Sequence, residues 1–303
     1  MRLFVSVLCC CLLLAACSVT VDESDITQEE YEKSLGTSNV PLPIDDALYI
    51  EQVKRESIVD KLSEIFQLDW LSRKEIDAKD IEYIALGDSL TDGVGDEYKR
   101  QGFTERLIER LEKWPAIASV TLDNRGKRGR RSEQLLALLE KGHYDKELAT
   151  ANLVTITMGG NDVMKVVKTD IFSLKKEMFD EEKVNFKNNY EQIIKRIRAK
   201  NTEAPLILIG FYNPFSIVVD EITPFEEIIV EWNNEIIQLA EEDGNACFVP
   251  VMDLFHTNED LVYHTDFFHP NSRGYERMTE RIVSAMTACG IEEMTDGLIG
   301  FEE

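Results

Sequence analysis

The chain has 303 residues, 44% of them hydrophobic, which is enough for one substantial core rather than several. Its 57 acidic and 33 basic residues leave a formal net charge of −24. Such a surface repels a phosphate backbone, so no nucleic-acid partner is expected, and solubility is favoured.

Met1 to Cys17 carries Arg2, an apolar run from Leu3 to Leu14, and then Ala15-Ala16-Cys17. The run is too short to span a bilayer as a mature helix and predicts a secretory signal peptide over residues 1–16. Leu14-Ala15-Ala16-Cys17 resembles a bacterial lipoprotein signal. The resemblance implies a diacylglycerol thioether on Cys17, and so a lipid-anchored, extracytoplasmic protein at the cell membrane. Cys9, Cys10 and Cys11 leave with the signal, so Cys247 and Cys289 are the cysteines of the body. They form either one disulfide or two separately buried thiols. The mature chain has no C-x-x-C spacing, and no metal site is expected.

Residues 17–45 are acidic and polar, with Pro41 and Pro43 near their end, and read as a flexible tether. Residues 46–80 read as a helical extension, because Ile50, Val53, Ile58, Leu62, Ile65 and Phe66 fall near helical spacing. The main domain, 81–303, opens with a buried strand from Ile81 to Leu86. It breaks at Gly87-Asp88-Ser89, where glycine and two small polar residues permit a tight turn. Further strands are predicted at Ser119–Leu122, Leu153–Met158, Leu206–Gly210 and Ala246–Val251. Helical patterns lie between them, at Phe103–Trp114, Ser132–Lys141, Val184–Ala199 and Phe225–Glu242, with a last one at Asn271–Cys289. Strands alternating with helices predict an α/β fold with a parallel, doubly wound sheet.

Four stretches just past strands, or before the last helix, carry chemistry. Ser89 stands at the carboxyl end of the first strand, where open α/β sheets place their ligands. Asn124-Arg125-Gly126-Lys127-Arg128-Gly129-Arg130-Arg131-Ser132 follows the second strand, and its glycines let backbone amides turn towards a ligand. Gly159-Gly160-Asn161-Asp162 follows the third, and the Asn161 amide can donate to a developing negative charge. In Asp266-Phe267-Phe268-His269-Pro270 an aspartate three residues before a histidine can reach Nδ1–H, leaving Nε2 to accept a proton. Read singly, each stretch is an ordinary turn, cap or structural histidine.

Together, in this order, the four motifs resemble the GDSL, or SGNH, hydrolase superfamily of lipases and esterases over roughly Ile81 to Ala288. The resemblance implies a three-layer α/β/α, flavodoxin-like fold around a five-stranded, mainly parallel sheet. It implies Ser89 as nucleophile, with Gly129 and Asn161 joining the Ser89 amide in an oxyanion hole. His269 is the implied general base and acid, oriented by Asp266. No cofactor is implied. The run Gly-Asp-Ser-Leu-Thr does not meet the Gly-x-Ser-x-Gly elbow of α/β-hydrolases.

The substrate implied is a small-molecule or lipid ester, a lysophospholipid ester among the candidates, cleaved through an acyl-serine intermediate. Arg125, Lys127, Arg128, Arg130 and Arg131 crowd the implied oxyanion glycine, and Arg130 and Arg131 are candidates for binding an anionic substrate group; solvated surface pairs are the plainer reading. The Val163–Phe186 and Phe211–Phe225 stretches either form an apolar lid or pack on the core. Two other classes compete. A metallohydrolase would use His256, His264, Asp266 and His269, but leaves Ser89, Gly129 and Asn161 without roles. A non-catalytic lipid- or glycan-binding lipoprotein would keep the fold alone. Within the esterase class, a deacetylase of O-acetylated envelope polysaccharide is the alternative to a lipid esterase.

Overall fold

The computed structural model describes residues 78–169, 174–216, 224–256 and 261–301. The expected signal peptide, the tether and all but the end of the helical extension lie outside them. At that end, Lys79 and Asp80 are already strand: β1 runs Lys79–Gly87, two residues earlier than Ile81. Both are exposed and pair with the next strand, so pairing rather than burial sets the boundary.

After β1 come a single helical turn, α1 (Ser89–Asp92), and then α2 (Phe103–Leu111). Strand β2 (Ile117–Gly126) leads to α3 (Ser132–Glu140), a short α4 (Asp145–Thr150), β3 (Leu153–Thr157) and α5 (Gly160–Thr169). The long α6 (Lys176–Arg198) precedes β4 (Leu206–Ile209), α7 (Pro224–Asp243) and β5 (Ala246–Val249). A 3-10 turn (Met252–Phe255), α8 (Ser272–Ala288) and a terminal turn, α9 (Ile291–Met294), complete the described chain.

The sheet order is β2-β1-β3-β4-β5, and every pairing is parallel. Alternate strand residues feed two separate apolar layers. Ile84, Leu86, Val154, Ile156, Leu206 and Leu208 pack with α3, α5, α6 and α7. Ile81, Tyr83, Ala85, Leu153, Ile207 and Ile209 pack with α2 and α8 on the other face. This is the expected three-layer, doubly wound arrangement. The order reverses between β1 and β3, and the carboxyl ends there form the crevice in which such sheets bind ligands.

Two expectations are corrected, and of two alternatives left open for a third stretch the structure takes one. Strand β2 has ten residues where Ser119–Leu122 was expected, and it takes in Asn124, Arg125 and Gly126, because its backbone follows β1 as far as Gly87. Helix α6 starts at Lys176, eight residues before Val184, because Phe179 continues its buried face. The described part of Val163–Phe186 is core and not lid: Val163, Val166, Val167, Phe179 and Phe186 are all buried. Phe211 and Tyr212 are likewise buried, while residues 217–223 lie outside the described set.

Cys247 on β5 and Cys289 just past α8 are joined in a disulfide. It closes a loop with a sequence separation of 42, for which chain entropy gives a stabilisation of about 4 kcal/mol. Reduction, or Cys289→Ala, is expected to lower the melting temperature by about 10 °C in a scan with and without reductant.

Candidate active site

Ser89 is the first residue of α1, and Asp88 is its N-cap, accepting from the Leu90 amide at 3.0 Å. Thr157 at the end of β3 donates through Oγ1 to the same Asp88 oxygen at 3.0 Å. Gly87 is required by this closeness: a Cβ there would lie 2.3 Å from Thr157 Oγ1 and 2.4 Å from Thr91 Oγ1. The turn is therefore clamped between β1 and β3. Burial pushes the Asp88 carboxyl up to about 6, against the pull of its donors.

His269 reaches the serine from the far end of the chain. Its Nε2 lies 3.0 Å from Ser89 Oγ, and its Nδ1 lies 2.7 Å from Asp266 Oδ2. With Nδ1–H donated to the carboxylate, Nε2 is the acceptor for the serine hydroxyl. Asp266 also accepts from the amides of Phe268 and His269, at 3.0 and 2.9 Å, through its other oxygen. Burial pushes its carboxyl up, but these amides and the imidazole outweigh that and hold it near 2. The turn is pinned from outside by Tyr212, whose hydroxyl donates to the Phe268 carbonyl at 2.7 Å. Burial lowers the His269 pKa, Asp266 raises it, and the positive charge of Arg128 adds to the lowering. The three residues named for the triad thus meet in one hydrogen-bonded series.

Asn161 enters at the start of α5 and donates through Nδ2 to Asp88 Oδ2 at 3.4 Å, which aims its amide at the serine turn. The two glycines of the basic block separate by environment. Gly126 ends β2 against the backbone of α1, where a Cβ would stand 2.2 Å from the Asp92 amide nitrogen. Gly129 has φ +76° with open space around it and lines a cavity together with Asn161. Gly126 packs; Gly129 is free to face a ligand.

Asp162 is a residue that motif reading missed. Wholly buried, it accepts from the Ser132 amide at 3.1 Å and the Ser132 hydroxyl at 2.5 Å. It ties the loop carrying Gly129 to the turn carrying Asn161. Burial pushes its carboxyl up to about 7. The signal available was its place beside Asn161, but its partner 30 residues away was invisible.

Arg130 does not sit where a substrate-binding residue should. It is buried, and its Nη1 donates to the carbonyls of Gly87 and Arg125, at 3.2 and 2.5 Å. The reason is the long β2: the loop after Gly126 is short and folds Arg130 under strand ends whose carbonyls need donors. Arg131 remains half-buried at the surface, paired through Nε with Glu133 at 2.6 Å. Arg125 pairs with Asp123 and Glu147.

The three histidines offered for a metal turn to different partners. His256 faces Glu226, His264 faces Glu97 at 4.0 Å, and His269 is engaged by Asp266 and Ser89. Among the described residues, no three His, Cys, Asp or Glu side chains converge on a metal position.

A cleft opens beside Ser89 and Asn161, walled by Leu90, Val163, Met164, Phe211, Phe225 and Ile229. A nucleophile-base-acid series at the mouth of an apolar cleft is equipped for acyl transfer.

Comparison with known proteins agrees. Residues 85–277 match the model of the GDSL-like Lipase/Acylhydrolase family. The chain is 32% identical over 209 residues to YpmR of Bacillus subtilis (strain 168), covering 68% of this chain and 82% of YpmR. It is 29% identical over 214 residues to the spore germination lipase LipC of Bacillus licheniformis, covering 68% and 96% of the two chains. The crystal structure of the lipase Lip_vut3 from a goat rumen metagenome superposes with a TM-score of 0.58 at 28% identity, covering 68% of this chain and 97% of that one. The chain belongs to the GDSL-like lipase/acylhydrolase family of carboxylic ester hydrolases.

Proposed function

We propose that the protein hydrolyses acyl esters through an acyl-serine intermediate on Ser89, with the acyl chain lying in the apolar cleft. The carrying observation is His269, with Nε2 at 3.0 Å from Ser89 Oγ and Nδ1 at 2.7 Å from Asp266. His269 takes the Ser89 proton as Oγ attacks the carbonyl, then gives it to the departing alcohol oxygen. The Ser89 and Gly129 amides and the Asn161 side chain hold the oxyanion, each donor contributing about 3 kcal/mol to lowering the barrier. Water activated by His269 then releases the acid. The apolar lining of the cleft suits an alkyl acyl group, and its volume of about 40 Å³ suits a short one. A fluorophosphonate should label Ser89 and no other residue, read by mass spectrometry of tryptic peptides; labelling elsewhere, or none, overturns the assignment.

The acid limb of the pH profile gives a second test. Neutral His269 is the competent form, and its folded pKa lies below the ordinary 6.5. Activity is therefore full above that pKa and falls as pH drops through a midpoint below about 6.5. Arg128→Ala removes a lowering charge, so the limb should move to higher pH; an unmoved limb contradicts the electrostatic account.

We also propose that Cys17 carries the lipid anchor, placing the enzyme on the outer face of the cell membrane. The supports are Leu14-Ala15-Ala16-Cys17 and the Cys247–Cys289 disulfide, which suits an oxidising compartment. Incorporation of a fatty-acid analogue should be abolished by Cys17→Ala; label retained in that variant refutes the anchor.

A further inference from the structure

Asp162 is a wholly buried carboxylate beside the site, and the proton transfers described above make no use of it. Among the described residues its hydrogen bonds come from Ser132. The Ser132 amide reaches its two oxygens at 3.1 and 3.2 Å, and the Ser132 hydroxyl reaches Oδ1 at 2.5 Å. Ser132 is itself wholly buried, and its Oγ accepts from Asn189 Nδ2 on α6 at 3.0 Å. That bond fixes the direction of the next one: the single Ser132 hydroxyl hydrogen goes to Asp162.

The donors in this cluster are neutral, and Glu133 and Glu182 add their negative charge to the effect of burial. A buried carboxylate answered by neutral donors is a poor device for stabilising a fold. Its place in the chain is what distinguishes it. Asp162 directly follows Asn161 in the first turn of α5, and Ser132 opens α3 three residues after Gly129. Gly129 is not packed in place, since a Cβ there would meet nothing within 4 Å. Its loop is anchored at its two ends instead. At one end the Gly87 carbonyl accepts from the Lys127 amide at 3.1 Å and from Arg130 Nη1 at 3.2 Å; at the other Ser132 is bonded to Asp162. The Asn161 side chain is held at its tip by a long bond, 3.4 Å to Asp88.

We propose that Asp162 is a positioning residue of the oxyanion hole: through Ser132 it sets the separation between the Gly129 amide and the Asn161 side chain. This role rests on the serine-hydrolase reading and adds to it a residue outside both the triad and the cleft lining. As Ser89 Oγ bonds to the carbonyl carbon, the carbonyl π pair moves onto oxygen, which then needs both donors at about 2.7–3.1 Å. In the bound ester the same oxygen carries less charge and tolerates looser donors. A shift of about 1 Å between the two segments therefore costs rate and leaves substrate binding nearly intact.

The test uses Asp162→Ala, Ser132→Ala and Asp162→Asn on a short p-nitrophenyl ester. Asp162→Ala should lose kcat by about 100-fold and Ser132→Ala by about tenfold, each with KM within about twofold of the wild type. Asp162→Asn keeps an acceptor oxygen for the Ser132 amide and hydroxyl, and should recover most of the rate. An alkylboronic acid, whose tetrahedral adduct on Ser89 places a charged oxygen in the same hole, should bind each alanine variant more weakly by the factor lost in kcat/KM. A residue that merely stabilises the fold would leave both quantities unmoved in the folded variant. Unchanged kcat in folded Ser132→Ala, or a rise in KM in place of the fall in kcat, overturns the positioning role. So does an Asp162→Asn enzyme as slow as Asp162→Ala, because charge and not the acceptor oxygen would then be at work. Should Asp162→Ala fail to fold, Ser132→Ala, which keeps the carboxylate, decides the matter. Fluorophosphonate labelling separates the two levels of failure. Labelled Ser89 beside unmoved kcat brings down the positioning role alone, and a wild type that takes no label brings down the hydrolase reading with it.

Discussion

Ser89→Ala is expected to lower kcat/KM on any ester by roughly 10⁴- to 10⁶-fold, the range seen when the nucleophile of a triad is removed. The fold should hardly register the change. The serine is 5% exposed and its hydroxyl bonds to His269 Nε2 alone, so about 1 kcal/mol of stability is at stake. His269→Ala should cost activity on the same scale, and the double variant should be no worse than either single one, because the two act as a unit. Initial rates on a short p-nitrophenyl ester, with melting curves beside them, decide the matter. Turnover retained in Ser89→Ala would falsify the nucleophile, and additive losses in the double variant would show that His269 acts by some other route.

Local rules placed the turns of this site in the sequence, while their joint role came from the resemblance of four motifs in order to one family. Gly87-Asp88-Ser89 ends a strand, Gly159-Gly160-Asn161 ends another, and an aspartate three residues from a histidine closes on the ring within one turn. Strand alternation likewise gave the parallel sheet, whose order agrees with the doubly wound expectation. What escaped notice depends on register and on distant partners. The five cations after β2 look equivalent in the sequence. Only the extension of that strand to Gly126 decides that Arg130 turns inward to two carbonyls. Whether Cys247 met Cys289 depended on how α8 lies against β5.

Arg106 illustrates the same limit and carries the second large effect. Its guanidinium, 3% exposed, donates to both oxygens of Asp96, at 2.7 and 3.0 Å, and Asp96 has no exposed side-chain surface. Asp96 accepts also from the Ser272 hydroxyl at 2.7 Å and from the amides of Arg100 and Gly102. Burial pushes this carboxyl up, but the donors outweigh that and hold it near 2. The network spans 176 residues of sequence, from the loop after α1 to the first residue of α8, three positions beyond His269. It therefore ties the segment that presents the serine to the segment that presents the base.

Arg106→Ala strands Asp96 as a buried, unpaired charge, which costs roughly 3–5 kcal/mol and lowers the melting temperature by about 10 °C. Because the folded pKa of Asp96 is depressed, its contribution is present above about pH 4 and is lost as pH falls towards 2. The wild type should accordingly lose stability over that acid range, and Asp96→Asn should lack that part of the loss. A structural role alone predicts a variant that is less stable but fully active once folded. Coupling to the site predicts more: measured well below its melting temperature, Arg106→Ala should keep its KM and lose kcat, because the Ser89–His269 contact is no longer held. An Arg106→Ala enzyme with wild-type kcat in the cold would confine this network to stability.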